Sequence, residues 1–452
     1  DRAAGDGNRM TDRNDKSRDR AVPRGRLSRF GQFGRLASGV AGGMIAEGAR
    51  RLADGERPAM REMMLTPANV TRVAERLSHL RGAAMKLGQM ISMDAGDMLP
   101  PELSEIMGRL RENAHRMPPQ QLQKLLAAEW GKDWRKRFVR FGATPIAAAS
   151  IGQVHRATTH DGRDLAIKVQ YPGVRESIDS DVDNVATLLR ISNLLPSELD
   201  IGPLLIEAKT QLHQEADYQR EGKYLSRFGE LLSNDPDYVI PVLDDEFTTP
   251  RVLAMSFVEG KAIETLADAP QDIRDSAMTQ LFSLVLREIF EFGMIQSDPN
   301  FANYRYQPET GRLVLLDFGA TRHVAADISA GYRHLIGAAL GGDRDLVRTQ
   351  ALKTGFVSEV AVARHRDRID NMIDIIIGEL SRPGRFDFGD RSFVAGLTQQ
   401  GMDVAADKAA WHIPPTDLLF VQRKISGTAL LAARLKVRID VRAMVEEFLH
   451  IA

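Results

Sequence analysis

Four short segments, in one order along the chain, limit what this sequence can fold into. The first is Ala147-Ala148-Ala149-Ser150-Ile151-Gly152-Gln153-Val154. The second, Ala166-Ile167-Lys168-Val169, sets a lysine in an alternating apolar stretch. The third is Asp298-Pro299-Asn300-Phe301-Ala302-Asn303, and the fourth, Asp317-Phe318-Gly319, follows the apolar run Leu313-Val314-Leu315-Leu316. A strand-borne cation, an acceptor-orienting carboxylate and oxygen ligands for magnesium are the parts that phosphoryl transfer requires. Glycines are expected where backbone amides must approach phosphates without Cβ obstruction. Here the loop ahead of the lysine is rich in alanine, and Gly152 is its single glycine.

The rest of the composition narrows the field. A chain of 452 residues can bury a sizeable core and fits two or three structural units. A formal net charge of -1 gives no bulk attraction to nucleic acid, so no nucleic-acid partner is expected. There are no cysteines, which excludes disulfides, thiol catalysis and cysteine metal sites. No apolar run reaches the roughly 18–20 residues of a membrane-spanning helix. Leu36 to Ala46 comes nearest and contains Gly39, Gly42 and Gly43.

Changes in texture mark the organisation. Residues 1–25 read as a disordered tail, because the first 29 residues mix nine Arg/Lys with five Asp. Residues 26–55 form a basic, glycine-rich amphipathic stretch suited to an anionic membrane surface or to docking on the protein itself. Thr66-Pro67 reads as a helix start, and Val70, Val73, Leu77, Leu80, Ala84, Leu87 and Ile91 continue as one helical stripe. Proline pairs at 100–101 and 118–119 punctuate further helices, with Leu103, Ile106, Met107 and Leu110 as the stripe of the first, so residues 66–130 read as a helical extension. From Phe138 the pattern is mixed. Residues 154–158 and 164–171 predict a hairpin, residues 174–192 a helix, and residues 203–231 one long helix. Strands are expected at 239–242 and 251–258, a hinge at Val258-Glu259-Gly260, and a mostly helical region after Asp272 with a hairpin near residues 304–316.

Each chemical element is common when taken alone. Ala-Ile-Lys occurs in many exposed strands, and Asp-Phe-Gly in many turns. Their order and context carry the reading, because Asp298 and Asn303 stand at the Asp-to-Asn interval of a kinase catalytic loop. Asp298 would orient or deprotonate an acceptor or polarise water, and Asn303 and Asp317 would hold magnesium. Phosphate-cradling Gly-x-x-x-x-Gly-Lys-Ser/Thr and Gly-x-Gly-x-x-Gly patterns are absent from the expected settings. Lys168 needs an acidic partner, and Gln214 to Glu221 offers three. On a continuous helix Asp217 and Glu221 share a face, while Glu215 points about 120° away from Glu221. Glu221 could therefore pair Lys168 while Glu215 meets something else.

Together with Lys86-Leu87-Gly88-Gln89, Glu215-Ala216-Asp217-Tyr218 and the run from Ala166 through Gly173-Val174, these segments resemble the UbiB-like, or aarF-domain, atypical kinases. The resemblance is dense over residues 68–325. It implies an α+β, bilobal protein-kinase-like fold with an N-terminal helical extension packed on the active site. The smaller lobe would span 138–260 and the helical lobe 261–452. It implies an ATP-binding, magnesium-dependent kinase or ATPase that supports ubiquinone biosynthesis. The alternative is a non-catalytic, nucleotide-sensing, lipid-binding scaffold of a quinone-biosynthetic complex. Lys168, Glu221 and Asp298 would be catalytic, and Asn303 and Asp317 would hold the metal. Ala147, Ala148, Ala149, Ser150, Gly152, Lys168, Phe257 and Val258 would line the nucleotide. Lys86, Gln89, Glu215 and Asp217 would form the regulatory contact with the extension. Expected partners are ATP, a quinone-precursor lipid or membrane surface, and quinone-biosynthesis proteins; a homodimer is admitted. The expected location is the cytoplasm, peripheral on a bacterial inner membrane, or the mitochondrial matrix in a eukaryote. Phe301 is a conservative replacement for the aromatic residue usual near Asp-Pro-Asn. The absence of a C-terminal membrane span points to the mitochondrial-type or alphaproteobacterial branch.

Overall fold

Alternation and breaker residues translate into elements that the computed structural model describes for residues 80–95, 116–191, 201–390, 392–405, 407, 410 and 414–450. The expected tail 1–25, the basic stretch 26–55, the helix start at Thr66-Pro67 and the stripe at 103–110 lie outside the described residues. The chain divides into two compact units. Unit 1 is Asp1–Lys223 with Val242–Phe257, and unit 2 is Tyr224–Pro241 with Val258–Ala452.

Unit 1 is built on an antiparallel sheet. Helices α1 (Arg81–Ala95) and α2 (Pro119–Trp130) precede strands β1 (Phe138–Phe141), β2 (Ala147–Ala148), β3 (Gly152–Thr159) and β4 (Asp164–Gln170). Helices α3 (Val174–Ile191) and α4 (Gly202–Glu215) follow, then α5 (Tyr218–Leu231), whose residues from Tyr224 belong to unit 2; the unit closes with β6 (Val252–Ser256) after β5 (Tyr238–Val239) of unit 2. The strand order is β1-β3-β4-β6, with β2 pairing β3. In the predicted hairpin Val154 lies opposite Lys168 and Arg156 opposite Ala166. Gly162 makes the turn at positive φ, where a Cβ would be strained. Pro119 opens α2, pre-set for a first helical turn. The buried residues Leu122, Leu125 and Leu126 of α2 pack with Trp134, Phe138, Ile167, Val169 and Phe247 into one core. Trp130 and Trp134 meet Phe138, Phe141 and Phe247 in tilted and edge-on arrangements, the geometry aromatic quadrupoles favour. Helix α1 packs on α3 and α4 in the same unit.

The long helix predicted over 203–231 is two helices. The Ala216 carbonyl accepts from Gln170 Nε2 at 2.7 Å. Asp217 then starts α5 by accepting the Arg220 amide at 3.0 Å. This side-chain cap replaces the continuing ladder, with no glycine or proline to announce the break.

Unit 2 contains β7 (Lys261–Ala262), α6 (Gln271–Arg287), β8 (Met294–Gln296), β9 (Tyr304–Gln307), β10 (Arg312–Leu315) and β11 (Thr321–His323). Helices α7 (Ala326–Leu340), α8 (Arg344–Thr354) and α9 (Glu359–Ser381) come next, then β12 (Phe386–Asp387), α10 (Ser392–Ala405), α11 (Thr416–Leu435), β13 (Arg438–Ile439) and α12 (Val441–His450). One sheet runs β5-β10-β9-β7, and β8 pairs β11. The predicted hairpin is β9–β10, with Leu313 opposite Tyr306. Helix α6 ends in a π-helical turn, Glu288–Phe292, which Gly293 closes in the left-handed conformation. That turn brings Glu288 into the interior, 1% exposed.

Candidate functional site

In unit 1 the sheet register decides where the lysine points. Val154 and Leu253 flank Lys168 from the neighbouring strands, so β4 is central at that position. Its Nζ lies 2.8 Å and 3.0 Å from the two carboxylate oxygens of Glu221. The side chains are 9% and 1% exposed. Burial of both charges is costly unless they are paired in good geometry, and the bidentate contact supplies it. The Tyr218 ring adds a cation–π contact at 5.2 Å from Nζ. Restarting the chain at Asp217 places Tyr218 and Glu221 on the first turn of α5.

The extension contributes a second buried pair. Lys86 Nζ donates to Glu215 Oε1 at 2.6 Å, and Ser150 Oγ donates to the other Glu215 oxygen at 2.6 Å. The carboxylate thus joins α1, the end of α4 and the alanine-rich hairpin. Glu215 and Glu221 serve different partners, but they end one helix and begin the next, so the angular separation reckoned on a continuous helix is not the cause. Asp217, expected to contact the extension, has a role within its own helix. Among the described residues its side chain accepts the Arg220 amide and caps α5. The side chain of Gln89 lies outside the described residues.

The alanine segment forms a strand and a turn. Ala147 pairs with Val154 and Ala148 with Gln153. The Ala149 amide donates to the Gly152 carbonyl at 2.9 Å. Both Ala147 and Ala148 are exposed, and Gly152 is buried. A Cβ on Gly152 would stand 2.3 Å from the Val169 carbonyl oxygen and 3.0 Å from Tyr218 Oη. Its missing side chain therefore has a packing reason inside the sheet. Phe257, which ends unit 1, donates its amide to the Asp164 carbonyl at 2.8 Å, and the Arg156 guanidinium stacks 3.8 Å over its ring. Val258 is half-buried at the start of unit 2.

A polar chain behind the hairpin was not read from the sequence. The Met117 amide donates to Gln153 Oε1 at 2.9 Å. Gln153 Nε2 meets His155 Nε2 at 2.8 Å, and His155 Nδ1 meets the Gly142 carbonyl at 2.7 Å. One proton arrangement satisfies every group, with neutral His155 donating from Nδ1. Burial pushes the His155 imidazole below its usual value, against the pull of the Gly142 carbonyl.

In unit 2 the segment 297–303 joins β8 to β9. Asn303 Nδ2 donates to the Asp298 carbonyl at 3.3 Å. The amide of Leu316 donates to the Asn303 carbonyl at 3.0 Å, which sets Asp317 one residue beyond that bond. Asp317 Oδ1 accepts the Gly319 amide at 3.0 Å, and Phe318 is buried against Phe228, 5.0 Å between centroids. With its amide nitrogen turned to Asp298, Asn303 presents Oδ1 as an acceptor. An amide oxygen and a carboxylate are the hard donors magnesium takes, with water and phosphate completing the shell. Among the described residues no cluster of three or more His, Cys, Asp or Glu forms a self-sufficient metal cage.

Sequence reasoning also missed Glu288, Gln296, Tyr304 and Lys424. Lys424 on α11 is 0% exposed. Its Nζ donates to Tyr304 Oη at 2.6 Å and to Gln296 Oε1 at 3.3 Å, and lies 3.6 Å from Glu288 Oε2. Glu288 Oε1 accepts the Gln296 amide at 3.2 Å. Burial works against the Lys424 charge, but Glu288 and Tyr304 outweigh it and its pKa is raised. Burial pushes the Glu288 carboxyl up against the pull of Lys424. One signal was available: Lys424 falls on the same helical stripe as Leu418, Val421, Leu431 and Leu435, where a lysine is out of place.

Comparison with known proteins agrees with this architecture. The sequence model of the ABC1 atypical kinase-like domain matches residues 109–351. The mitochondrial atypical kinase COQ8B of Rattus norvegicus is 37% identical over 451 residues, covering 96% of this chain and 83% of the relative. The mitochondrial atypical kinase COQ8 of Saccharomyces cerevisiae is 34% identical over 440 residues, covering 96% and 87%. Among solved structures, the Rv3197–erythromycin complex from Mycobacterium tuberculosis superposes with a TM-score of 0.60 at 25% identity, covering 82% of this chain and 93% of that one. The α+β, kinase-like fold expected from the sequence is the fold observed.

Proposed function

This chain belongs to the ABC1 (UbiB) atypical kinase family, and we propose that it is a magnesium-dependent, ATP-using kinase or ATPase supporting ubiquinone biosynthesis. The observation that carries the reading is the buried, bidentate Lys168–Glu221 pair. An isolated strand lysine would not be held this way. Lys168, oriented by Glu221, would neutralise phosphate charge. Ser150 and the alanine hairpin would border the nucleotide, with Phe257 and Val258 at its other edge. Magnesium, when bound, would neutralise charge on the phosphate oxygens, and Asn303 Oδ1 and Asp317 are the groups that would hold it. Asp298 would orient the attacking hydroxyl or water and accept its proton.

The matched relatives named above are mitochondrial proteins, so the bacterial inner-membrane location gains no support from them. Among the described residues no helix is long and apolar enough to cross a membrane.

Thermal unfolding with nucleotide tests the reading. Magnesium-ATP at a hundred times its Kd contributes about 2.7 kcal/mol, or roughly 3 °C in Tm for a chain of 452 residues. Asp317→Asn should abolish most of that shift while leaving the unliganded Tm close to wild type. Undiminished stabilisation in the variant would remove Asp317 from the metal site. The scaffold reading draws on the Lys86–Glu215–Ser150 tether, which pins the hairpin from within unit 1. Full quinone levels in a deletion strain complemented with Asp298→Asn would favour it.

A further inference from the structure

Helix α11 lies outside every motif that drew attention to this chain, yet one face of it converges on the segment that carries Asp298. Lys424, Gly427, Leu431 and Arg434 recur at helical spacing along that face. At one end, buried Lys424 bonds Gln296 and Tyr304. Gln296 is the last residue of β8 and Tyr304 the first of β9, so the ammonium joins the two stems of segment 297–303. Midway, the helix comes so near that a Cβ on Gly427 would stand 2.2 Å from Pro299 Cβ. At the far end the Arg434 guanidinium lies 6.0 Å from the centre of the Phe301 ring. Three contacts, to the stems, to Pro299 and to Phe301, thus reach the segment from one helix. The charge of Lys424 also acts electrostatically on Asp298 itself.

We propose that Lys424 is a positioning residue for phosphoryl transfer: its ammonium clamps the stems of segment 297–303, and with Gly427 it holds Asp298 and Asn303 in their working arrangement. The inference rests on the function proposed above for those two residues.

The bland alternative is that Lys424 merely balances the buried Glu288 carboxylate, whose charge burial disfavours. The two roles separate because Glu288 reaches the stems through the Gln296 amide alone, whereas Lys424 touches both. A lysine needed only for charge balance becomes dispensable once Glu288 is made neutral. A lysine needed as a clamp does not.

The test uses the full chain with Lys424→Met, the charge-balanced Glu288→Gln/Lys424→Met, and the milder Tyr304→Phe. The first readout is hydrogen exchange at the amides of residues 297, 300, 302 and 303, which bond within the segment or to Ala320. The second is ATP turnover, with nucleotide Kd measured separately. The double variant should recover the Tm lost in Lys424→Met. Its exchange over 297–303 should still be at least about tenfold faster than wild type, and kcat should be lower by about 10²-fold, the scale of a small misplacement of a catalytic group. Nucleotide Kd should change less than about twofold, because Lys168 is untouched. Tyr304→Phe should move exchange and kcat in the same direction by a smaller margin, and it covers the case in which both lysine variants fail to fold. Wild-type exchange and kcat in the double variant would overturn the clamp, as would an unaffected segment in Tyr304→Phe. Altered exchange in a chain whose wild type never turns over ATP would sink the proposed function and leave the clamp standing.

Discussion

Removing Lys86 isolates the energetic role of the extension. Its ammonium is 4% exposed and the Glu215 side chain 11%, at 2.6 Å. Without it, Glu215 keeps the Ser150 hydroxyl but loses its counter-charge. The carboxylate also stands in the last turn of α4, where the helix dipole opposes a negative charge by about 0.3–1 kcal/mol. Breaking a buried pair from one side costs about 3–5 kcal/mol. The retained hydroxyl and residual exposure of Glu215 favour the lower end, so Lys86→Met should cost about 3 kcal/mol. Replacing Glu215 as well removes the stranded charge, and Lys86→Met/Glu215→Gln should recover about 2 of those 3 kcal/mol, leaving a net cost of about 1 kcal/mol. Urea unfolding followed by tryptophan fluorescence measures it, since Trp130 and Trp134 both lie in the core of unit 1. A single-variant cost below about 1 kcal/mol, or a double variant no better than the single, would refute the claim that a buried charge pair holds α1 to the hairpin.

Two further outcomes concern the same sheet. Gly152→Ala should destabilise unit 1 by about 2–3 kcal/mol, because the new methyl meets a sheet carbonyl that cannot yield cheaply; a cost under about 1 kcal/mol would return Gly152 to the role of a mere loop glycine. Burial holds the folded pKa of His155 below the unfolded value of about 6.5, so the neutral ring contributes stability above that pH and loses it as pH falls through the folded pKa. Unfolding midpoints between pH 8 and pH 5 should therefore decline on the acidic side, and His155→Gln should flatten that slope; an equally steep decline in the variant would assign it to other groups.

What was legible in the sequence was local. Period-two alternation and the turn at Gly162 gave β3 and β4, and placed Lys168 on a buried strand. The interval from Asp298 to Asn303 and the glycine turn after Asp317 marked residues that the β8–β11 region does bring close in sequence-distant bonds, such as Leu316 to Asn303. The helix break at residues 216–217 was not read, because Asp217 is one polar residue among several there and the Ala216 carbonyl is held by Gln170, on a strand more than forty residues earlier. A backbone carbonyl captured by a distant side chain leaves no breaker residue behind. The Lys424 cluster was hidden for the same reason. Glu288, Gln296, Tyr304 and Lys424 come from a π-helical turn, two strand ends and a C-terminal helix, and only the folded chain gathers them.

The alanine segment shows why a motif read from residue types alone can mislead about cause. Three alanines ahead of a buried strand lysine look like a glycine loop that has lost its freedom. In the fold, Ala147 and Ala148 are exposed residues of a paired strand. The lone glycine is where a Cβ would collide with β4 and Tyr218. The constraint on this hairpin therefore comes from its contacts: Gly152 is locked into the sheet, and Ser150 is bonded to a carboxylate that Lys86 holds. Replacing the alanines with glycine would loosen the strand by about 0.5–1 kcal/mol per residue, yet both anchors would remain. Any change in how nucleotide is held is thus expected to follow Lys86 and Glu215 more closely than the alanines themselves.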